Sequence, residues 1–306
     1  MSAVRRRPSG RRFALLPGLL LLAIVAAVGV GAWLQFGERQ AQDTVHTAGR
    51  ADPDRVDVEA TIQRVDAAGR ELVLRVLVTP RGALAEGGGI APADDLTLQT
   101  STATRGDLTF KAHQRISTLD VPVALTGGSI TDYPFDAYGA DVQFAAVLGH
   151  EKVPVRVLFS NNDVLFAATV EASTADDGAA VLDIGLARSN SVLVFAVFMM
   201  IAMWALAVSV LIGGWFLVTR RKGLTWPALG WMAATLFALA AFRNTAPGTP
   251  PIGCLLDYLA FLWAEILIAF CLITVVVAGI RAEREPPAEG AEGAEGAEGL
   301  VGPGRA

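Results

Sequence analysis

"SVLVFAVFMMIAMWALAVSVLIGGWFLV" (Ser191 to Val218) decides the class of this protein. The stretch carries no ionised side chain, and about 20 apolar residues are enough to cross the hydrocarbon core of a bilayer. Its few exceptions are mild. Ser209, Gly213 and Gly214 stand among Met199, Met200, Met203 and Trp204, which is ordinary packing material for membrane helices. The whole chain agrees with this reading: of 306 residues, 53% are apolar and only 18% are charged. The formal net charge of -5 is mild, and no basic tract outside the membrane flanks points to nucleic acid.

Working outward, three further apolar runs flank this one. Residues 13–36 follow a basic stretch, 1–12, that holds Arg5, Arg6, Arg7, Arg11 and Arg12. A cleaved signal peptide starts in the same way, but its apolar core runs only about 7 to 15 residues. The reading favoured here is an uncleaved signal anchor. Residues 226–243 and 254–280 supply the third and fourth runs. Basic residues then set the orientation. Arg220, Arg221 and Lys222 in "TRRKGL", the N-terminal arginines, and Arg281 with Arg284 all fall on one side if there are four spans. By the positive-inside rule that side is the cytoplasm. Trp215, Trp226 and Trp231 fit an aromatic belt on the same side. The expectation is a multi-pass protein of the inner (plasma) membrane with both termini cytoplasmic and membrane lipids as its surroundings. The tail 281–306, with its Ala-Glu-Gly repeat, has nothing from which to build a core and is expected to be disordered.

Residues 43–188 then lie outside the cytoplasm. They alternate apolar and polar positions in short runs, which is strand patterning. "RVDVEATI" sets Val56, Val58, Ala60 and Ile62 on one face, and "ELVLRVLVTP" does the same with Leu72, Leu74, Val76 and Val78. "ADVQFAAVL", "VPVRVLF", "DVLFAATV" and "AAVLDIGLA" continue the pattern between glycine-rich turns. The expected fold class is an extracytoplasmic all-β sandwich-like domain, or a half-open barrel, plus an α-helical bundle of four transmembrane spans.

No catalytic or metal-ligating arrangement stands out. His46, His113 and His150 are far apart, and Asp163 in "LFSNND" lacks the oxygen-rich neighbours that calcium needs. Cys254 and Cys271 are separated by roughly 25 Å of helix and cannot bridge within one chain. The chain therefore reads as a non-enzyme with no cofactor.

Two sets of residues remain as candidates. The first is "ITDYPFDAYGADV" (Ile130 to Val142). Pro134 pushes Tyr133 toward an extended conformation, and Asp132 and Asp136 flank the Tyr-Pro-Phe centre. One reading is a rigid turn with Phe135 and Tyr138 buried. The other is a loop that touches the membrane face or a partner. The second set is Arg243, Asp257 and Glu265, which lie beside or inside apolar runs. Arg243 ends one run and Asp257 opens the next across a proline-stiffened loop, so an ion pair near the outer interface is expected. Glu265 lies about 16 Å along the last run from Cys254, near the bilayer centre. A carboxylate there should face protein or a cavity rather than lipid. It either makes an interhelical hydrogen bond or binds a cation, a proton or a partner.

"YPFDAY" (Tyr133 to Tyr138), "RSNS" (Arg188 to Ser191), "PGTPPIG" and "DYLAFLWAE" together resemble a family of bacterial, mainly actinobacterial, membrane proteins catalogued as domain of unknown function 4436. The resemblance covers about residues 50–280. It implies a membrane location and no established activity. A shorter likeness joins Pro134, Phe135 and Asp136 to the Phe-Pro-Phe-Asp element of pentameric ligand-gated channels, where it lies in a β-sandwich ectodomain ahead of the membrane helices. This chain departs from those channels in its extra N-terminal span, its three later spans and its lack of a cysteine pair around the motif.

Three functions follow as expectations. The foremost is a membrane-anchored extracytoplasmic binding or assembly protein, a subunit of a larger envelope complex. Its partners would be other membrane proteins or further copies of itself, with no nucleic acid. The alternatives are a transport or ion-channel-like component that uses an intramembrane carboxylate, and an envelope sensor.

Overall fold

The structure is a computed structural model that describes residues 18, 21–22, 25–26, 28–33, 35–39, 44–101, 106–175, 178–220 and 223–284. The expected basic N-terminus, 1–12, and nearly all of the tail lie outside the described residues. The chain divides into two compact units. The first comprises residues 1–198 and 246–257, and the second residues 199–245 and 258–306.

Among the described residues of the first unit, eleven strands build two sheets: β1 (His46–Gly49), β2 (Val56–Asp66), β3 (Glu71–Pro80), β4 (Leu96–Thr100), β5 (Leu108–Phe110), β6 (Leu119–Ala124), β7 (Ala137–Leu148), β8 (Glu151–Val153), β9 (Val155–Asn161), β10 (Phe166–Thr174) and β11 (Ala180–Arg188). One sheet runs β1-β9-β2-β3-β6, the other β10-β11-β7-β4-β5 with β8 on β7. Period-two patterning decides which side of each strand is buried. In β3, Leu72, Leu74, Val76 and Val78 point inward, as the sequence indicates. They meet Phe144, Leu182 and Ile184 from the other sheet in one apolar core. Pro122, which has no N–H for a ladder, sits in β6, and β6 ends its sheet.

The expected fold class is corrected in two respects. The β region is two sheets of mixed pairing: β2 pairs with β9 in parallel, Val56 beside Val155 through Ile62 beside Asn161, whereas the second sheet is antiparallel throughout its described pairs. Among the described residues both sheets are open, so there is no closed barrel. The second correction concerns the spans. Among the described residues only two helices are long and apolar enough to cross a membrane, Asn190–Thr219 and Asp257–Arg284, where four spans were expected. We label Asn190–Thr219 α1, Trp226–Arg243 α2 and Leu262–Arg284 α3; a π-helical turn, Asp257–Phe261, leads into α3. The 18 residues of α2 reach about 27 Å, short of a hydrocarbon core of about 30 Å, and the helix closes on Arg243. The first run, 13–36, lies only in part among the described residues.

A bulge in β2 also escaped period-two reading. The register against β3 shifts between Ile62 and Arg64, which turns the inward phase from Val56, Val58, Ala60 and Ile62 to Val65. Asp163 holds the shifted strand: its carboxylate accepts the Val65 N–H at 2.6 Å and the Leu165 N–H at 2.7 Å. Asp163 is therefore a buried structural residue of this turn.

In the second unit, small residues let helices approach closely. A side chain at Gly214 would collide with Cys271 Sγ, and one at Gly213 would lie 3.4 Å from the Trp231 ring. The thiol of Cys271 donates to the Val210 carbonyl at 3.5 Å. Both cysteines are buried.

Candidate functional site

The inward phase of two neighbouring strands leads to a buried charged centre in the first unit. Along β11 the buried positions are Ala180, Leu182, Ile184, Leu186 and then Arg188. Along β7 they are Tyr138, Ala140, Val142, Phe144 and Ala146, and Asp136 precedes them with the same parity. β7 and β11 pair antiparallel with Ala187 beside Ala137, and one more step of that register sets Arg188 beside Asp136. On its other side Arg188 pairs with Phe166 of β10.

The resulting contacts are close. Arg188 Nε donates to both carboxylate oxygens of Asp136, at 2.9 and 3.1 Å, and Nη2 donates at 3.0 Å. The Tyr138 hydroxyl donates to the same carboxylate at 3.0 Å. The guanidinium lies 4.1 Å from the centroid of the Phe166 ring and 5.2 Å from that of Tyr133. The two charged side chains are 3% and 0% exposed, so water screens the pair little. Burial, then the hydrogen bond and charge of Asp136, hold the Tyr138 hydroxyl well above its ordinary value.

This centre is joined to the start of α1. Ser189, the next residue, is buried, and its hydroxyl donates to the Val164 carbonyl at 3.0 Å. The Ser189 N–H donates to the Leu165 carbonyl at 3.0 Å, and the Ser189 side chain accepts from the Val192 N–H at 3.4 Å in the manner of a helix N-cap. The loop 246–257 belongs to the same unit and lies against the motif. The Leu256 N–H donates to the Tyr133 carbonyl at 3.3 Å. Gly248 has φ +74°, and a side chain there would stand 2.8 Å from Arg188 Nη1.

The sequence candidates in the motif separate. Tyr133, Pro134, Asp136 and Tyr138 are buried, with a cis bond between Tyr133 and Pro134. Asp132 is exposed at the end of a short 3-10 turn. Phe135, expected to be buried in the rigid-turn reading, is 54% exposed, because it falls on the outward phase between Pro134 and Asp136. Arg188 was missed as a partner of Asp136. Its signal was available in the even-numbered inward phase of "AVLDIGLAR".

The membrane-side candidates are placed as follows. Arg243 is 6% exposed in the last turn of α2, where the helix dipole favours a cation. Asp257 is 1% exposed and opens the π-helical turn; its carboxylate accepts the Gly253 N–H at 2.7 Å. Both residues are engaged in further interactions. Glu265 lies in the first turn of α3 and is half-buried. In the second unit the Trp204 indole N–H donates to the Leu259 carbonyl within the π-helical turn, at 3.1 Å. That turn breaks the 3.6-residue phase between Asp257 and Glu265. Among the described residues no group of three or more His, Cys, Asp or Glu could hold a metal ion.

Residues 46–186, which include Asp136 and its motif, match the family described as domain of unknown function (DUF4436). The chain matches that family over its β region. Residues 188–282 match a second family, also described as a domain of unknown function (DUF8686). The DUF4436 region ends just ahead of Arg188, so the ion pair joins one matched region to the other. "YPFDAY" falls in DUF4436, and "RSNS", "PGTPPIG" and "DYLAFLWAE" fall in DUF8686. No curated protein matches the chain. The protein is membrane-associated, with an extracytoplasmic β-rich region.

Proposed function

We propose that this protein is a transport or ion-channel-like membrane component that uses carboxylates of its last candidate span. One observation carries the reading. The span Asp257–Arg284 is apolar enough to cross a bilayer, yet it holds Asp257 at 1% exposure and a half-buried Glu265, with a π-helical turn beginning at Asp257. Ionisable groups inside a membrane segment are costly and mark polar paths. A helix that served only as an anchor would need neither carboxylate. π-turns also concentrate at functional sites. Two candidate spans do not enclose a path alone, so the working form is an assembly of several copies or a complex with other membrane proteins. The likeness of Pro134, Phe135 and Asp136 to the channel element agrees with this reading. The joint of Asp136, Arg188 and Ser189 would then tie the β-rich region to α1. The test is monovalent cation and proton flux into proteoliposomes that hold the full chain. Flux above that of empty vesicles is expected, and none above that level would overturn the proposal.

A second reading, an extracytoplasmic binding or assembly protein, is favoured by Phe135. A phenylalanine that is 54% exposed beside the fully buried Tyr133 suits contact with a partner or a lipid surface. Its test is purification from native membranes. A stoichiometric foreign subunit that is lost with Phe135→Ser would support it, and a chain that purifies alone would count against it.

A further inference from the structure

In the first unit, a half-open cleft of about 300 Å³ lies at the start of α1. Its polar wall is Gln35, Glu38 and Ser191, and its apolar wall includes Val164, Leu165 and Phe195. The volume is at the lower end for small-molecule sites.

The polar wall has a definite sign. Glu38 accepts the Ser191 N–H at 2.6 Å with one carboxylate oxygen and the Ser191 hydroxyl with the other. Each oxygen keeps a second lone pair. Ser191 has a single hydroxyl proton. With that proton directed at Glu38, the Gln35 carbonyl oxygen, 3.3 Å from the Ser191 hydroxyl oxygen, retains acceptor capacity. The N-terminus of α1 contributes about half a positive charge and the carboxylate a full negative one, so the wall is acceptor-rich and net negative. An anion is repelled there, and a neutral apolar molecule would strip water from the acceptors without replacing it. A primary ammonium brings three donors and the matching charge. The side chains of Val164, at 67% exposure, and Phe195, at 40%, offer apolar surface for a short chain attached to it.

We propose that this cleft binds a small amphiphilic amine, a primary ammonium on a short apolar chain. The amine comes either as a free molecule or as the headgroup of an aminophospholipid. The inference does not depend on the transport reading.

The test is ligand-observed NMR on the full chain in phosphatidylcholine nanodiscs, titrated with hexylammonium, hexanol and hexanoate. Saturable binding of hexylammonium is expected, at least about tenfold tighter than that of hexanoate or hexanol. Val164→Trp should abolish it by filling the cleft. Glu38→Gln, which keeps an acceptor for Ser191 but removes the charge, should weaken it at least about fivefold. Nanodiscs with phosphatidylethanolamine distinguish the sources: competition with hexylammonium assigns the headgroup, and unchanged affinity assigns the free amine. Equal binding of the three probes, no saturable binding, or binding indifferent to Val164→Trp would each overturn the proposal. Val164 shows its side chain to solvent, so that variant tests the cleft even if Glu38→Gln disturbs the start of α1.

Discussion

Asp136→Asn is the most informative single change in the β-rich region. It preserves the shape of the side chain and removes the charge that faces Arg188. The guanidinium now has three contacts to the carboxylate, between 2.9 and 3.1 Å, and its side chain is 3% exposed. Removing one partner of such a buried pair costs about 3–5 kcal/mol. Two effects soften the loss. The Asn carbonyl still accepts one hydrogen bond, and the Phe166 ring at 4.1 Å still contributes about 1–2 kcal/mol to a desolvated cation. A net cost of about 3 kcal/mol remains, or roughly a hundredfold in the opening equilibrium. Hydrogen exchange on the full chain in detergent should show that rise at the amides of β7 and β11. The double variant Asp136→Leu with Arg188→Met should return to within about 1 kcal/mol of the parent, because well-packed apolar pairs replace buried ion pairs at little cost. An Asp136→Asn protein whose exchange rises less than about threefold would refute the reasoning. Arg188 would then be held by its other neighbours.

Gly248→Ala should cost about 1–2 kcal/mol, because φ is +74° there and the new Cβ would stand 2.8 Å from Arg188 Nη1; the same exchange experiment reads it. Asp163→Ala strips the acceptor from the Val65 and Leu165 N–H groups and should cost about 3 kcal/mol, seen as a lowered urea midpoint with an unchanged slope. The Tyr138 hydroxyl is held above its ordinary value of 10.0, chiefly by burial and then by Asp136. Below that value it is protonated in both the folded and the unfolded chain, and its contribution is fully present. Above it only the unfolded chain ionises, so stability should fall by about 1.4 kcal/mol per pH unit, and Tyr138→Phe should remove that slope in an alkaline titration.

Much of the fold was legible because strand alternation and span length are local properties. The inward faces of β3, β7, β9 and β11, and that of β2 as far as Ile62, follow from alternation alone, and α1 from its uninterrupted apolar run. What was not legible depends on pairing between distant segments. The parallel contact of β2 with β9 joins strands about a hundred residues apart, and no local pattern specifies it. The weak strands β1, β4, β5 and β6 are short, so alternation has little length in which to show. The third expected span failed on composition: the 18 residues of α2 include Pro227, Gly230, Thr235 and the closing Arg243, which lower its mean hydropathy. At the candidate site, the motif around Asp136 stood out through its aromatic and proline content. Arg188 did not, because a charged residue at the end of an apolar strand reads as a boundary until the register places it beside a carboxylate. The exposure of Phe135 was also missed, although the alternation that buries Tyr138 and Asp136 implies it.

The central claim is that a carboxylate inside the last candidate span carries a polar path. The most direct measurement is cation and proton flux through proteoliposomes with the parent chain, Glu265→Gln and Glu265→Asp, each at the same oligomeric state. The account predicts flux with the parent, loss of at least about tenfold in Glu265→Gln, and recovery of most of it in Glu265→Asp, since a charge in the membrane interior is retained only where it is used. Equal flux in the parent and Glu265→Gln, or none in any of the three, would contradict it.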